Sequence, residues 1–221
     1  MFVDELYQII SAGITELIQE KQTPVLVAVN GIEGSGKTVF SQNLVRFLKS
    51  SKIEALHISI DGFHNDKNVR YRQGRNSAIG YYEDSYDEQA FVSRVLKSSQ
   101  NGVPKVTTAI YDIYKEEALN NEPEKISNNA VIVSDGAYLF KTIYSNYWDL
   151  KIYLEVDKVL ALERGSKRDE KLLNGYKQAR EKFIKRYHKA SGIYTERMRP
   201  KKQADIIIDN NDFNAPYFLK I

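Results

Sequence analysis

The chain has 221 residues, which suits one globular domain with a substantial buried core. Hydrophobic residues make up 42% and charged residues 28%, and a formal net charge of +3 is too small to demand a nucleic-acid partner. There is no cysteine, which excludes a disulfide framework, thiolate catalysis and a cysteine-ligated metal.

The opening segment places Phe2, Leu6, Ile9, Ile10, Ile14, Leu17 and Ile18 at helical spacing, and predicts an amphipathic helix over about 1–22 that ends before Thr23-Pro24. Val25 to Val29 is a continuous apolar run, the pattern of a strand buried on both faces. A glycine loop follows, then a helix from about Lys37 to Ser50 that would bury Phe40, Leu44, Val45 and Leu48. A strand is expected from Ala55 to Ile60, a polar tyrosine- and arginine-rich stretch from Asp61 to about Tyr86, and a helix from Asp87 to Lys97. Lys105 to Ile110 alternates weakly, as an edge strand would. Ala130 to Ser134 reads as a buried strand ending at Asp135-Gly136, Leu150 to Val156 as another, and Asp205 to Asp209 as the last. Between the last two lies a helical, basic region: from Arg164 to Lys202 there are fourteen Lys and Arg against four Asp and Glu. Short apolar strands alternating with helices argue for an α/β fold with a mainly parallel central sheet, and no linker divides it, so a single domain over 1–221 is expected.

Gly31-Ile32-Glu33-Gly34-Ser35-Gly36-Lys37-Thr38 matches the phosphate-loop pattern G-x-x-x-x-G-K-[ST] at every fixed position. The glycines let the backbone curl so that successive N–H groups point inward at phosphate oxygens. The helix that follows presents its positive N-terminal end to the same anion. Gly31, Glu33, Gly34, Ser35, Gly36, Lys37, Thr38 and Val39 are the expected nucleotide-binding residues, with Lys37 on the β- and γ-phosphates and the Thr38 hydroxyl on Mg²⁺. The expected cofactors are therefore ATP and Mg²⁺, with the choice of nucleoside triphosphate left open.

Ligands of open α/β sheets bind beyond the carboxyl ends of the strands. Two more predicted strands end there in an acid, at Asp61 and Asp135. Phosphoryl transfer to an alcohol needs a group to accept the hydroxyl proton, and Mg²⁺ needs oxygen ligands. Asp61 is read as catalytic base, and Asp135 as the acid that joins Thr38 at the metal. Both aspartates precede glycine, so a plain turn-capping role competes with each reading.

These residues resemble the uridine kinase-like branch of phosphate-loop (P-loop) kinases, which includes phosphoribulokinase and bacterial pantothenate kinase. The resemblance runs from about Val25 to Asn210. It rests on the Gly31–Thr38 loop, Asp61-Gly62-Phe63-His64, Tyr111-Asp112, the run Val131 to Gly136, the segment Arg164 to Asp169, and Ala204 to Asn210. It implies a three-layer P-loop NTPase fold with a helical lid at about 163–190, and lid arginines Arg164 and Arg168 that neutralise charge on the transferred phosphoryl. It also implies an acceptor-binding segment at about 61–117, a kinase that moves the γ-phosphoryl of ATP to a nucleoside or related sugar-bearing compound, and Asp135 where relatives usually carry Glu. Tyr111-Asp112 continues as Ile113-Tyr114-Lys115-Glu116, without the His-Ser-Arg segment usual in uridine kinases.

His64, Arg72, Tyr82 and Tyr111 are the expected acceptor contacts, because aromatic faces stack on bases and arginine forks grip hydroxyl or anionic groups. A core or capping role is the competing reading for each. The expected partner is thus a small hydroxyl-bearing molecule. No apolar run approaches the roughly 20 residues needed to span a bilayer, no secretory signal is evident, and a cytoplasmic, membrane-free protein is expected, with homo-oligomerisation left open. A GTP switch would need an Asn-Lys-x-Asp segment, which is absent. A non-kinase, nucleic-acid-stimulated NTPase using the basic stretch, where Tyr176, Tyr187 and Tyr194 interleave with charge, is the alternative class, and a pantothenate- or sugar-type kinase of the same superfamily is a closer rival, distinguished only by its acceptor.

Overall fold

Apolar runs too short for helices and too uniform for a one-sided sheet become the centre of this molecule. In the computed structural model, which describes residues 3–221, the chain runs α1 (Val3–Glu20), β1 (Val25–Gly31), α2 (Lys37–Ser50) and β2 (Ala55–His57). A 3₁₀ turn at Ile60–Phe63 leads to α3 (Lys67–Arg70), α4 (Ala78–Asp84) and α5 (Glu88–Phe91), the last running on into a π-helical stretch at Val92–Lys97. Four two-residue strands follow: β3 (Lys105–Val106), β4 (Tyr111–Asp112), β5 (Glu117–Ala118) and β6 (Glu124–Lys125). Then come β7 (Val131–Asp135), α6 (Thr142–Ser145), β8 (Leu150–Glu155), α7 (Lys158–Arg168), α8 (Tyr176–Lys182), a π-helical stretch at Phe183–Tyr187, α9 (His188–Met198), α10 (Pro200–Gln203), β9 (Ile206–Asp209) and β10 (Tyr217–Lys220). Phe2, read as the first apolar position of the opening helix, lies outside the described residues.

The central sheet has the order β10-β9-β8-β1-β7-β2, parallel throughout except for β10, which runs antiparallel to β9. Strand residues alternate between two cores. Val25, Val27, Val29, Val131 and Val133 face α1 and α2, where Leu6, Ile10, Phe40 and Leu44 are buried. Leu26, Ala28 and Ile132 face an aromatic core that includes Phe91, Tyr138, Tyr144, Trp148 and Tyr194. Two helical layers on one sheet account for the uniformly apolar strands, since neither face meets water. Complete burial of a side chain such as Leu44 contributes about 1.5–3 kcal/mol. The register sets Val29 beside Asp135, so the loop after β1 and the acid at the end of β7 emerge at one edge.

Three expectations need correction. The strand predicted to reach Ile60 stops at His57, because the Ser59 hydroxyl accepts a hydrogen bond from the Asp61 amide (3.3 Å) and caps a 3₁₀ turn instead. The Lys105–Ile110 stretch does not edge the central sheet. Only Lys105 and Val106 pair, with Lys125 and Glu124, because the chain then turns to place the Ile110 amide on the Gly62 carbonyl at 2.8 Å. Asp205–Asp209 is not the last strand, since β10 adds an antiparallel edge beyond it.

One buried polar network ties the layers together. The Tyr194 hydroxyl accepts from the Asn30 amide and from the Phe140 backbone N–H (3.1 Å), while the Asn30 side-chain oxygen accepts from the Gly31 N–H (2.7 Å). Tyr194→Phe strands two donors in the core, each costing about 1–3 kcal/mol. Thermal unfolding should move down by about 2–4 °C per kcal/mol lost. An unchanged melting temperature would show that the network carries no weight.

Candidate active site

The loop between β1 and α2 is wound so tightly that its glycines have no substitutes. Gly34 and Gly36 both adopt φ of +88°. A Cβ on Gly34 would sit 2.0 Å from the Ala161 carbonyl oxygen, and one on Gly36 would sit 2.6 Å from the Phe213 ring. Asn210, at the end of β9, donates from its buried side-chain amide to the Ser35 carbonyl at 2.8 Å and pins the loop from the other side. Backbone N–H groups and the N-terminal end of α2 are thereby aimed into one cleft, the arrangement that receives phosphates.

Lys37 is buried, with Nζ 3.0 Å from the Ile32 carbonyl and 3.9 Å from a Glu33 carboxylate oxygen. Thr38 donates its hydroxyl to Asp135 Oδ2 at 2.7 Å, and His57 Nε2 lies 2.6 Å from Asp135 Oδ1. Burial pushes the Asp135 carboxyl up, but the His57 and Thr38 hydrogen bonds and the charges of His57 and Lys37 outweigh it and hold the group below the usual aspartate range. Glu33 is similar. Burial opposes its ionisation, yet Lys37, Arg168, the Tyr81 hydroxyl (2.9 Å) and His188 hold its carboxyl below the ordinary value.

Asp61 moves the other way. It opens onto the cleft, but loss of hydration at that depth is the first cause of a carboxyl raised above the usual range, and the charges of Glu33 and Asp135 push it further. His64 and the Tyr86 hydroxyl, which donates to Asp61 Oδ1 at 2.9 Å, pull against that shift. His64 is buried, donates from Nδ1 to the Asp61 carbonyl (2.7 Å), and has its ring 4.7 Å from that of Tyr86.

The remaining expected residues are distributed unevenly. Tyr111 donates to Glu116 (3.0 Å), which also pairs with Arg70, so the β4–β5 hairpin closes on α3. Arg72 is largely exposed and paired with Asp84. The Tyr82 side chain is buried against Tyr138 and Tyr194, with the Lys141 ammonium 4.0 Å from its ring centre, and so belongs to the aromatic core. Its neighbours Tyr81 and Tyr86 are the tyrosines that reach the carboxylates. Arg164 donates to the Asn210 and Asn211 carbonyls (3.0 and 2.6 Å) and stacks 3.7 Å over Phe213. Arg168 is held by Asp169 at 2.7 and 3.0 Å and interacts electrostatically with Glu33 and Asp61. Val39 is exposed in the first turn of α2.

Sequence reasoning passed over His57, Asn210 and Phe213. His57 carries no signal in the sequence; it emerges only in the fold, where the parallel register with the strand ending in Asp135 sets it two residues short of that acid. Among the described residues no group of three or more His, Cys, Asp and Glu forms a protein-only metal cage. Mg²⁺ is usually held by one or two carboxylates together with phosphates, and the Thr38 hydroxyl with the ionised Asp135 fits that donor set.

Comparison with known proteins agrees with this geometry. The model of the phosphoribulokinase/uridine kinase family matches residues 26–215. A uridine kinase of Ureaplasma urealyticum serovar 10 is 27% identical over 196 residues, covering 87% of this chain and 91% of its own. One from Leuconostoc citreum is 27% identical over 147 residues, covering 66% and 69%. Among solved structures, a protein described as a possible uridine kinase from Bacillus stearothermophilus superposes with a TM-score of 0.66 at 20% identity, covering 88% of this chain and 96% of its own. D-glycerate 3-kinase from Cryptococcus neoformans var. grubii superposes at 0.62 and 12% identity, covering 97% and 99%. At such identities the structural likenesses show the P-loop kinase fold.

His57 does most to keep Asp135 ionised. In His57→Ala the Asp135 carboxyl should titrate at higher pH, read directly by carboxyl ¹³C NMR. An unshifted titration would contradict the role given to His57.

Proposed function

The chain belongs to the phosphoribulokinase/uridine kinase family and is a phosphotransferase with a hydroxyl acceptor; from that premise we propose that it transfers the γ-phosphoryl of ATP to a sugar hydroxyl of a nucleoside of the uridine type, or of a related sugar-bearing compound. The observation that carries this reading is the meeting of three parts at one sheet edge: the glycine loop with Lys37, the Thr38–Asp135 hydrogen bond, and Asp61 with its raised carboxyl.

The chain's own groups divide the work. Loop amides and the Lys37 ammonium bind the β- and γ-phosphates. Thr38 and Asp135 would hold Mg²⁺, which when bound would supply neutralisation of phosphate charge. Asp61 lies at the cleft floor and takes the proton of the acceptor hydroxyl. A base with a raised pKa is better matched to that task than an ordinary aspartate, because base strength rises with pKa. Arg168, restrained by Asp169 and interacting electrostatically with Glu33 and Asp61, is positioned to meet developing negative charge, and the segment at 163–190 is the lid that carries it. Arg164, stacked on Phe213 beside Gly36, supports the nucleotide side of the cleft.

His64 and Tyr86 offer an aromatic wall beside Asp61, and the Tyr111–Glu116–Arg70 cluster bounds the acceptor segment. Relatives named as uridine kinases support a nucleoside acceptor. In the hairpin that follows Tyr111, Glu116 holds Tyr111 and Arg70 together. An ADP-release screen with Mg²⁺ against nucleosides, pantothenate, sugars and sugar phosphates tests the acceptor. Preference for pyrimidine nucleosides is the expected result, and turnover of only non-nucleoside acceptors would overturn that part of the reading.

Lys37→Ala should abolish phosphotransfer with the fold retained by circular dichroism, whereas normal turnover would remove the loop from the mechanism. Asp61→Asn should lower kcat by about 10²-fold or more while ATP still binds. In wild type, activity should fall with decreasing pH through a value above that of an ordinary aspartate, near 3.9, because the base must be ionised. The same raised pKa means that ionised Asp61 opposes folding once pH exceeds its unfolded value. Asp61→Asn should therefore melt no lower than wild type, and a lower melting temperature would contradict the assigned environment.

A further inference from the structure

Away from the cleft, a second cavity of about 580 Å³, open on one side, lies between the π-helical stretch after α5 and the β3–β6 pair. Its wall carries Arg94 from the helical stretch, Lys105 from β3 and Lys125 from β6, and no Asp or Glu. Lys105 and Lys125 stand directly opposite one another in the antiparallel pair. Like charges so placed repel and weaken the pairing. Among the described residues none of the three cations forms an ion pair within 4.0 Å.

Three positive charges without an ion-pair partner around one concavity call for a compact multivalent anion. An arginine fork matches two phosphate oxygens at once, and two lysines supply point charges beside it. Val103 and Pro123 complete the wall with apolar surface. The volume falls in the range of small-molecule sites, about 300–1,000 Å³. We propose that this cavity is a second ligand site, separate from the phosphate-loop cleft, that binds a small phosphorylated organic molecule, with Arg94, Lys105 and Lys125 on the phosphate and Val103 and Pro123 against its carbon skeleton.

The test uses the full chain carrying Lys37→Ala, so that the phosphate loop does not compete, at low ionic strength where surface charges are least screened. Calorimetric titration with fructose 1,6-bisphosphate, and separately with inorganic pyrophosphate, should show saturable binding of one equivalent. Tighter binding of the sugar phosphate would place the carbon skeleton on the apolar wall. Equal or tighter binding of pyrophosphate would overturn the organic part of the proposal. Adding Lys105→Gln and Lys125→Gln should weaken binding about tenfold or more, from the usual strength of hydrogen bonds to charged groups, and Arg94→Gln alone should weaken it in the same direction. Without ligand, the double lysine variant should melt no lower than its parent, because a repulsive pair has been removed. Absence of saturable binding, or affinity untouched by these substitutions, would refute the site. The assay needs no turnover, so its failure is distinct from failure of the proposed phosphotransfer.

Discussion

The hydrogen bond from Thr38 to Asp135 joins the two halves on which everything else depends. Thr38 belongs to the helix opened by the glycine loop, Asp135 to the end of the neighbouring strand, and the 2.7 Å contact exists because β1 and β7 run parallel with Val29 beside Asp135. A parallel sheet buried on both faces forces strand ends and loops to one edge, and it is there that a phosphate-loop enzyme must assemble its chemistry. The loop itself tolerates no side chain at Gly34 or Gly36, whose Cβ positions are already filled by Ala161 and Phe213. Fold and site are therefore one packing problem.

The cleft also separates its acids by environment. Asp135 is buried but surrounded by His57, Thr38 and Lys37, and stays ionised more readily than a free aspartate. Asp61 loses hydration without gaining an equal cationic partner and holds its proton more tightly. Two carboxyls pushed in opposite directions within one site are the pattern expected when one carries permanent charge and the other exchanges a proton. Their stability effects are opposite too. Asp135 contributes stability above the unfolded aspartate pKa that is lost as pH falls through its lower folded value, while Asp61 works against folding at pH above the unfolded aspartate pKa.

Much of this is legible in the sequence where the signal is local. The phosphate loop has fixed residue types at fixed spacing, and β1, α2, β7 and β8 follow from uninterrupted or helically spaced apolar positions. What escapes is set by contacts across the chain. Whether the strand after α2 reaches Ile60 depends on Ser59 capping a turn, and β10 exists only because β9 offers it an edge. Tyr81 and Tyr82 are adjacent on α4, about 100° apart around the helix axis, so one faces Glu33 and the other the aromatic core. Composition cannot say which. His57 is likewise unremarkable until the β2–β7 register brings it to Asp135.

Calorimetric titration of the unmodified chain with ATP, with Mg²⁺ present and then chelated, addresses the central claim most directly. The account predicts one saturable site whose affinity drops about tenfold or more without the metal, a difference of about 1.4 kcal/mol. Heat of binding that is absent with Mg²⁺-ATP, or identical with and without Mg²⁺, would contradict it.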